Sequence, residues 1–101
     1  MPITINSRPG RVTILLSGEI DHHGARAMMA ELEEAVASLM PRKLTLDLSG
    51  VTFMDSSGIA LLLRTHRHVT GYGGALTVTA IPTQPRRVLD AAGVGRIITL
   101  E

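Results

Sequence analysis

Met54-Asp55-Ser56-Ser57-Gly58 runs directly into Ile59-Ala60-Leu61-Leu62-Leu63, and the reading of this stretch decides the fold. Two hydroxyls and a carboxylate stand immediately before an apolar run. That run continues to Val69 with helical spacing and stops at Gly71. The pattern predicts a strand, a short turn and a helix that begins at the serines. A hydroxyl at a helix start lies where free backbone N–H groups and the positive end of the helix dipole meet solvent. Such a position tolerates an added phosphate.

Working outward, Leu44, Leu46 and Leu48 alternate with Thr45 and Asp47 as the strand that feeds this turn. Upstream, Val12, Ile14 and Leu16 form a second alternating run, ended by Gly18. Ile3 to Ile5 predicts a short strand, joined to the next through the turn-rich Ser7-Arg8-Pro9-Gly10. Asp21 is placed to cap a helix that carries Met28, Leu32, Val36 and Leu39 and that Pro41 closes. Glu31, Glu33 and Glu34 fall on its wetter side. In the helix after Ser56, the expected apolar stripe is Ile59, Leu62, Leu63, His66 and Val69. Leu76, Val78 and Ala80 predict another strand. Pro82 to Pro85 opens a short helix with Val88, Leu89 and Ala92, stopped by Gly93, and Ile97 to Leu100 is the last strand.

Strands alternating with helices argue for right-handed crossovers and a largely parallel sheet. The first two strands, joined by a short turn, should be antiparallel. The expected fold class is therefore α/β, with a mixed, mostly parallel sheet of four to five strands and helices packed mainly on one face. Residues 1–101 suffice for one domain and not two. The strand-end turns, including Asp55-Ser56, should share one edge of the sheet, where ligands and partners of open α/β folds bind.

Composition narrows the function classes. The 10 Lys and Arg nearly balance the 9 Asp and Glu, and they are scattered along the chain. No electrostatic footprint for nucleic acid or an anionic membrane results. The chain has no cysteine, so disulfides and thiolate metal sites are excluded. No signal-peptide pattern opens it, and no apolar run is long enough to span a bilayer. A cytoplasmic domain without membrane insertion is the expectation. Aromatics are limited to Phe53 and Tyr72, so the core must be built from Leu, Ile, Val, Ala and Met.

Three motifs could carry chemistry. Ser56 and Ser57 have a plain structural reading as helix caps, worth up to about 2 kcal/mol. A nucleophilic serine would need a base from His22, His23, His66 or His68, and the G-x-S-x-G elbow is absent because Met54 stands two residues before Ser56. Asp21-His22-His23 lacks the i, i+4 spacing of a zinc helix, so no metal is expected. Asp21 nonetheless ends a strand-to-helix turn, as Asp55 does. If the two turns are neighbours, they place two carboxylates near a serine. Gly71-Tyr72-Gly73-Gly74 leads from helix to strand, the reverse of a phosphate-cradling loop, and reads as a helix stop. Arg86 and Arg87 read as solvated charge.

Gly18-Glu19-Ile20-Asp21-His22-His23, Leu46-Asp47-Leu48 and Phe53-Met54-Asp55-Ser56-Ser57-Gly58 together closely resemble the anti-sigma factor antagonist family, the bacterial STAS domains. The likeness continues through Gly73-Gly74 and Arg87-Val88-Leu89-Asp90 to Gly93, in order and at compatible spacing. It implies a single STAS domain over residues 1–101. It further implies a protein that is not an enzyme and uses no cofactor. Its partner would be an anti-sigma factor that is also an ATP-dependent serine kinase, and a serine phosphatase would reset it. The serine directly after the Asp, here Ser56, would carry the phosphate. The unphosphorylated form would hold the anti-sigma factor and free the sigma factor for transcription. Asp21, Met54, Asp55, Ser56, Ser57, Gly58 and Ile59 would line the partner surface. Within that set Met54 and Ile59 would be its apolar contacts, and Gly58 would admit the partner's backbone. Many relatives carry a further C-terminal helix where this chain stops at Glu101, which would leave the last strand less covered or the partner surface shorter. The runner-up is a STAS-type structural subunit of a lipid-transporting ATPase assembly, which would need no phosphate.

Overall fold

The computed structural model describes residues 3–101. Its elements run β1 (Ile3–Arg8), β2 (Arg11–Ile20), α1 (His22–Leu39), β3 (Lys43–Met54), α2 (Ser56–Gly71), β4 (Ala75–Thr79) and α3 (Thr83–Ala91). A single 3-10 turn, Val94–Arg96, then leads to β5 (Thr99–Leu100). The five strands form one sheet in the order β1-β2-β3-β4-β5. β1 and β2 are antiparallel and all other neighbours are parallel. The hairpin closes through Pro9 and Gly10, with Gly10 at φ 75°, the Pro-Gly arrangement of a type II turn.

One face of the sheet is apolar. Val12, Ile14 and Leu16 of β2, Leu44, Leu46 and Leu48 of β3, and Leu76 and Val78 of β4 are buried there. Met28, Leu32 and Val36 of α1, Leu61, Leu62 and Val69 of α2, and Leu89 of α3 join them in a single core. The parallel strands step the same way across the sheet, and crossovers of the one usual hand then keep the helices on one face. The opposite face carries a row of side chains in register, Thr13, Thr45, Thr77 and Thr99. Threonine suits a strand whose outer side meets water.

The structure moves several expected details. β2 does not end at Gly18 but continues to Ile20, and Gly18 at φ 95° marks a register shift between Gly18 and Glu19. β3 holds two extra residues against β2, one at each shift, so it reaches Met54. In α2 the buried stripe is Gly58, Leu61, Leu62, Thr65 and Val69. Thr65, not His66, is the polar residue placed inward, and its hydroxyl satisfies itself by donating to the Leu61 carbonyl at 2.9 Å. Leu39 is exposed because α1 breaks at once, with Met40 at φ 41° ahead of Pro41. Ala80 lies outside β4 in a left-handed turn at φ 56°. Ala92 is exposed beyond the end of α3. Ile97 follows the 3-10 turn and is 57% exposed, so β5 is only two residues long.

The glycine-rich exit of α2 is a helix stop, as expected. Gly73 takes φ 91°, and the Gly74 N–H donates to the Val69 carbonyl at 2.9 Å. The Tyr72 hydroxyl donates to the Pro41 carbonyl at 2.7 Å, which ties this exit to the segment before β3. Arg86 pairs with Asp90 one turn along α3 on an exposed surface.

Candidate functional site

The ends of β2 and β3 lie side by side, with Ile20 paired to Met54. The Asp55 N–H donates to the Ile20 carbonyl at 3.3 Å. Asp21 and Asp55 therefore begin neighbouring turns at one edge of the sheet, the arrangement that their sequence positions suggested. Each carboxylate caps the helix that follows. Asp21 Oδ1 accepts from the Gly24 N–H at 2.7 Å, and Asp55 Oδ1 accepts from the Ser57 N–H at 2.8 Å. Both caps sit in extended backbone, as an N-cap requires.

This geometry answers what the serines do. The cap of α2 is Asp55, so neither hydroxyl serves as the capping group. Ser56 is the first residue of α2 and is exposed. Ser57 is half-buried and faces a groove of about 520 Å³ between α1 and α2. Met29 and Leu61 give that groove its apolar floor, with His22, Arg26 and Arg64 along it. Arg64 Nε meets Glu33 Oε1 at 2.8 Å across the two helices.

Met54 and Gly58, expected on the partner surface, lie beneath it. Met54 is fully buried, so it cannot be a surface contact and instead supports the turn from beneath. Gly58 is also buried, and a Cβ there would run into the Met54 side chain. Its missing side chain makes room for Met54 rather than for a partner's backbone. Ile59 is half-buried and packs against the core. The large apolar side chain exposed beside the turn is Phe53, 39% accessible and paired in register with Glu19. The alternation of Leu44, Leu46 and Leu48, carried forward, puts Met54 inside and Phe53 outside. The two register shifts in β3 cancel in parity and preserve that outcome.

Gln84 is the residue that sequence reading missed. Its side-chain amide holds both backbone groups of Met54. The Met54 N–H donates to Gln84 Oε1 at 2.9 Å, and Gln84 Nε2 donates to the Met54 carbonyl at 2.8 Å. Thirty residues separate the two positions, so no local pattern signals the contact. Among the described residues, no group of three or more His, Cys, Asp or Glu gathers as a metal cluster, and no helix is long and apolar enough to cross a membrane.

A mixed five-stranded sheet with helices on one face and two Asp-capped turns at one edge defines an α/β domain of the STAS type. The family model described as "Mlab, STAS domain" matches residues 3–100, and the chain belongs to that family. It is 28% identical over 100 residues to an anti-sigma F factor antagonist of Paenibacillus polymyxa, covering 99% of this chain and 86% of the relative. A crystal structure of an anti-sigma factor antagonist from Mycobacterium paratuberculosis superposes with a TM-score of 0.86 at 28% identity, over 97% of this chain and 82% of that one. The Bacillus cell fate determinant SpoIIAA shares the fold at 24% identity in an unphosphorylated and a phosphorylated form. Its unphosphorylated form gives a TM-score of 0.81 over 98% of this chain and 87% of that one. Its phosphorylated form gives 0.72 over 98% and 90%.

Proposed function

We propose that this chain is an anti-sigma factor antagonist switched off by phosphorylation of Ser56. The observation that carries the reading is the Asp55 cap. Because the carboxylate does the capping, the Ser56 hydroxyl stands exposed at a helix start. The relatives named as anti-sigma factor antagonists support it, as does a fold neighbour solved in a phosphorylated form.

In this reading the unphosphorylated chain binds an anti-sigma factor and so releases a sigma factor. The anti-sigma factor is also the kinase. Ser56 Oγ takes the γ-phosphoryl group of ATP, its proton passes to a kinase base, and ADP leaves. A serine phosphatase restores the hydroxyl. The chain is the substrate and the binding partner, not the catalyst. Asp21, Asp55, Ser56, Ser57 and Ile59 form the partner surface, with Phe53 as the exposed apolar anchor and Met54 and Gly58 as its support.

The physics of the switch is local. A phosphate adds about −1.5 to −2 charges near neutral pH. Two unit charges about 4 Å apart interact by roughly 4 kcal/mol at an effective dielectric near 20. A fraction of that repulsion, set against an acidic or tightly fitted partner surface, weakens binding on the order of a hundredfold. Ser56→Ala should hold the anti-sigma factor with or without ATP, and Ser56→Asp should bind it poorly. Intact-mass spectrometry with site mapping, after incubation with ATP and the anti-sigma factor kinase, tests the reading. One phosphate on Ser56 with loss of the complex on a sizing column is the expected result. No phosphate, with a stable complex regardless of ATP, would point instead to a structural subunit of a transport ATPase.

A further inference from the structure

We propose that Gln84 is a positioning residue for Ser56, through which α3 holds the switch turn in place. β3 outruns its neighbour on one side. Its pairing with β4 ends at Asp47 and Thr79, yet β3 continues to Met54. On the far side β2 accompanies it to the end, with Ile20 opposite Met54. A strand end paired on one edge alone leaves backbone groups in need of partners. Gln84 supplies them at the residue where the strand stops.

A primary amide has the donor and the acceptor of one peptide unit. Gln84 presents both to Met54, at 2.8 and 2.9 Å, and so replaces one rung of the missing strand. Met54 is then gripped from α3, and the next residue, Asp55, is gripped from β2 through its N–H on Ile20. Asp55 in turn receives two amides of α2. The Ser57 N–H reaches its carboxylate at 2.8 Å, and the Gly58 N–H reaches its carbonyl at 3.0 Å. Ser56 is the residue between the cap and those two amides. Its hydroxyl is aimed by whatever fixes Asp55.

Gln84 is well placed to act as a rigid arm. It is half-buried, one residue into α3, between Pro82 at the cap and the buried Pro85. Pro85, directly after it in the first turn of the helix, restricts the backbone that carries it. Partial burial strengthens both hydrogen bonds and raises the cost of leaving Met54 unpaired. Loss of the amide should therefore loosen the turn before it loosens the sheet.

Amide hydrogen exchange on the protein alone reads this directly. Gln84→Met keeps the side-chain length and removes both bonds. Exchange at Ser57 and Gly58 should accelerate on the order of tenfold, while Ile14 and Leu16 in β2 keep their parent rates. A merely structural role would speed all of these amides together. Unchanged rates at Ser57 and Gly58, or a rise matched by β2, would overturn the proposal. Gln84→Glu keeps the acceptor for the Met54 N–H but sets a second carboxylate oxygen against the Met54 carbonyl in place of the donor. It too should accelerate exchange at the same two amides and spare β2, and it decides the question if Gln84→Met does not fold.

The consequence for modification rests on the reading of Ser56 as a phosphosite. With ATP and the anti-sigma factor kinase, Gln84→Met should lower kcat for phosphorylation on the order of tenfold, with KM within about twofold. An unchanged kcat would remove Gln84 from the positioning of Ser56 for the kinase. If the parent protein takes no phosphate at Ser56, the switch reading falls, and the exchange rates alone decide the role of Gln84.

Discussion

Asp55 and Gly58 share the work at the Ser56 turn. The Asp55 carboxylate satisfies an amide of the first turn of α2, and Gly58 leaves the volume that Met54 fills. The absence of a side chain at position 58 is therefore a packing requirement. The same position would ordinarily prefer Ala, which is better in a helix by about 1 kcal/mol. Gly58→Ala must push a fully buried Met54 aside, and overpacking of this kind costs about 1–3 kcal/mol. Urea unfolding should show a net loss for Gly58→Ala. A double variant with Met54→Ala should be less destabilised than the sum of the two single changes, because the shorter side chain vacates the contested space. Equal and additive losses would show that the two side chains do not compete.

At the scale of elements, the helix α2 is bounded by two different devices. Asp55 opens it, and Tyr72 with the glycines closes it. The Tyr72 hydroxyl donates to the Pro41 carbonyl, and burial raises its pKa above the ordinary value near 10. The folded chain thus holds this proton more tightly than the unfolded chain does. The corresponding stability is fully present below about pH 10 and declines as pH rises through the higher folded value. Tyr72→Phe should lose about 0.5–1.5 kcal/mol at neutral pH with the hydrogen bond. It should also show a shallower decline above about pH 10 than the parent, read from urea midpoints across that range. Identical alkaline slopes would remove Tyr72 from the titration. The elements themselves were legible in the sequence. Leu44, Leu46 and Leu48 announce a half-buried strand, and Asp21, Pro41 and Gly71 punctuate two helices. What stayed hidden was of two kinds, local geometry and a distant partner. Thr65 replaces His66 on the buried stripe because it stands in helical phase with Leu61, Leu62 and Val69, and its hydroxyl is satisfied by bonding back along the helix. Ile97 leaves the last strand because a 3-10 turn forms first. Gln84 is invisible because its role appears only when α3 meets the end of β3. Ser56 and the neighbouring Asp21 and Asp55 turns could be read from local pattern, whereas the support beneath them could not.

Across the whole molecule, the Ser56 turn rests on the core through buried Met54 and Gly58, while Ser56 itself faces solvent. The apolar face of the sheet packs the helices into a continuous core, and the open face is solvated by its threonine row. The Ser56 turn sits at the sheet edge, held by β2, α3 and its own cap. A phosphate added at that edge meets two opposing fields. The start of α2 favours negative charge by about 0.3–1 kcal/mol, and the neighbouring carboxylates of Asp21 and Asp55 oppose it by a similar order. Neither effect enters the core, so the switch needs no refolding. Protein phosphorylated on Ser56 should keep its circular dichroism spectrum. Its Tm should move by less than about 4–8 °C, the shift that 1 kcal/mol produces in a domain of this size. Its affinity for the anti-sigma factor should fall on the order of a hundredfold in the same preparation. A large drop in Tm with loss of helical signal would show instead that the phosphate acts by melting α2.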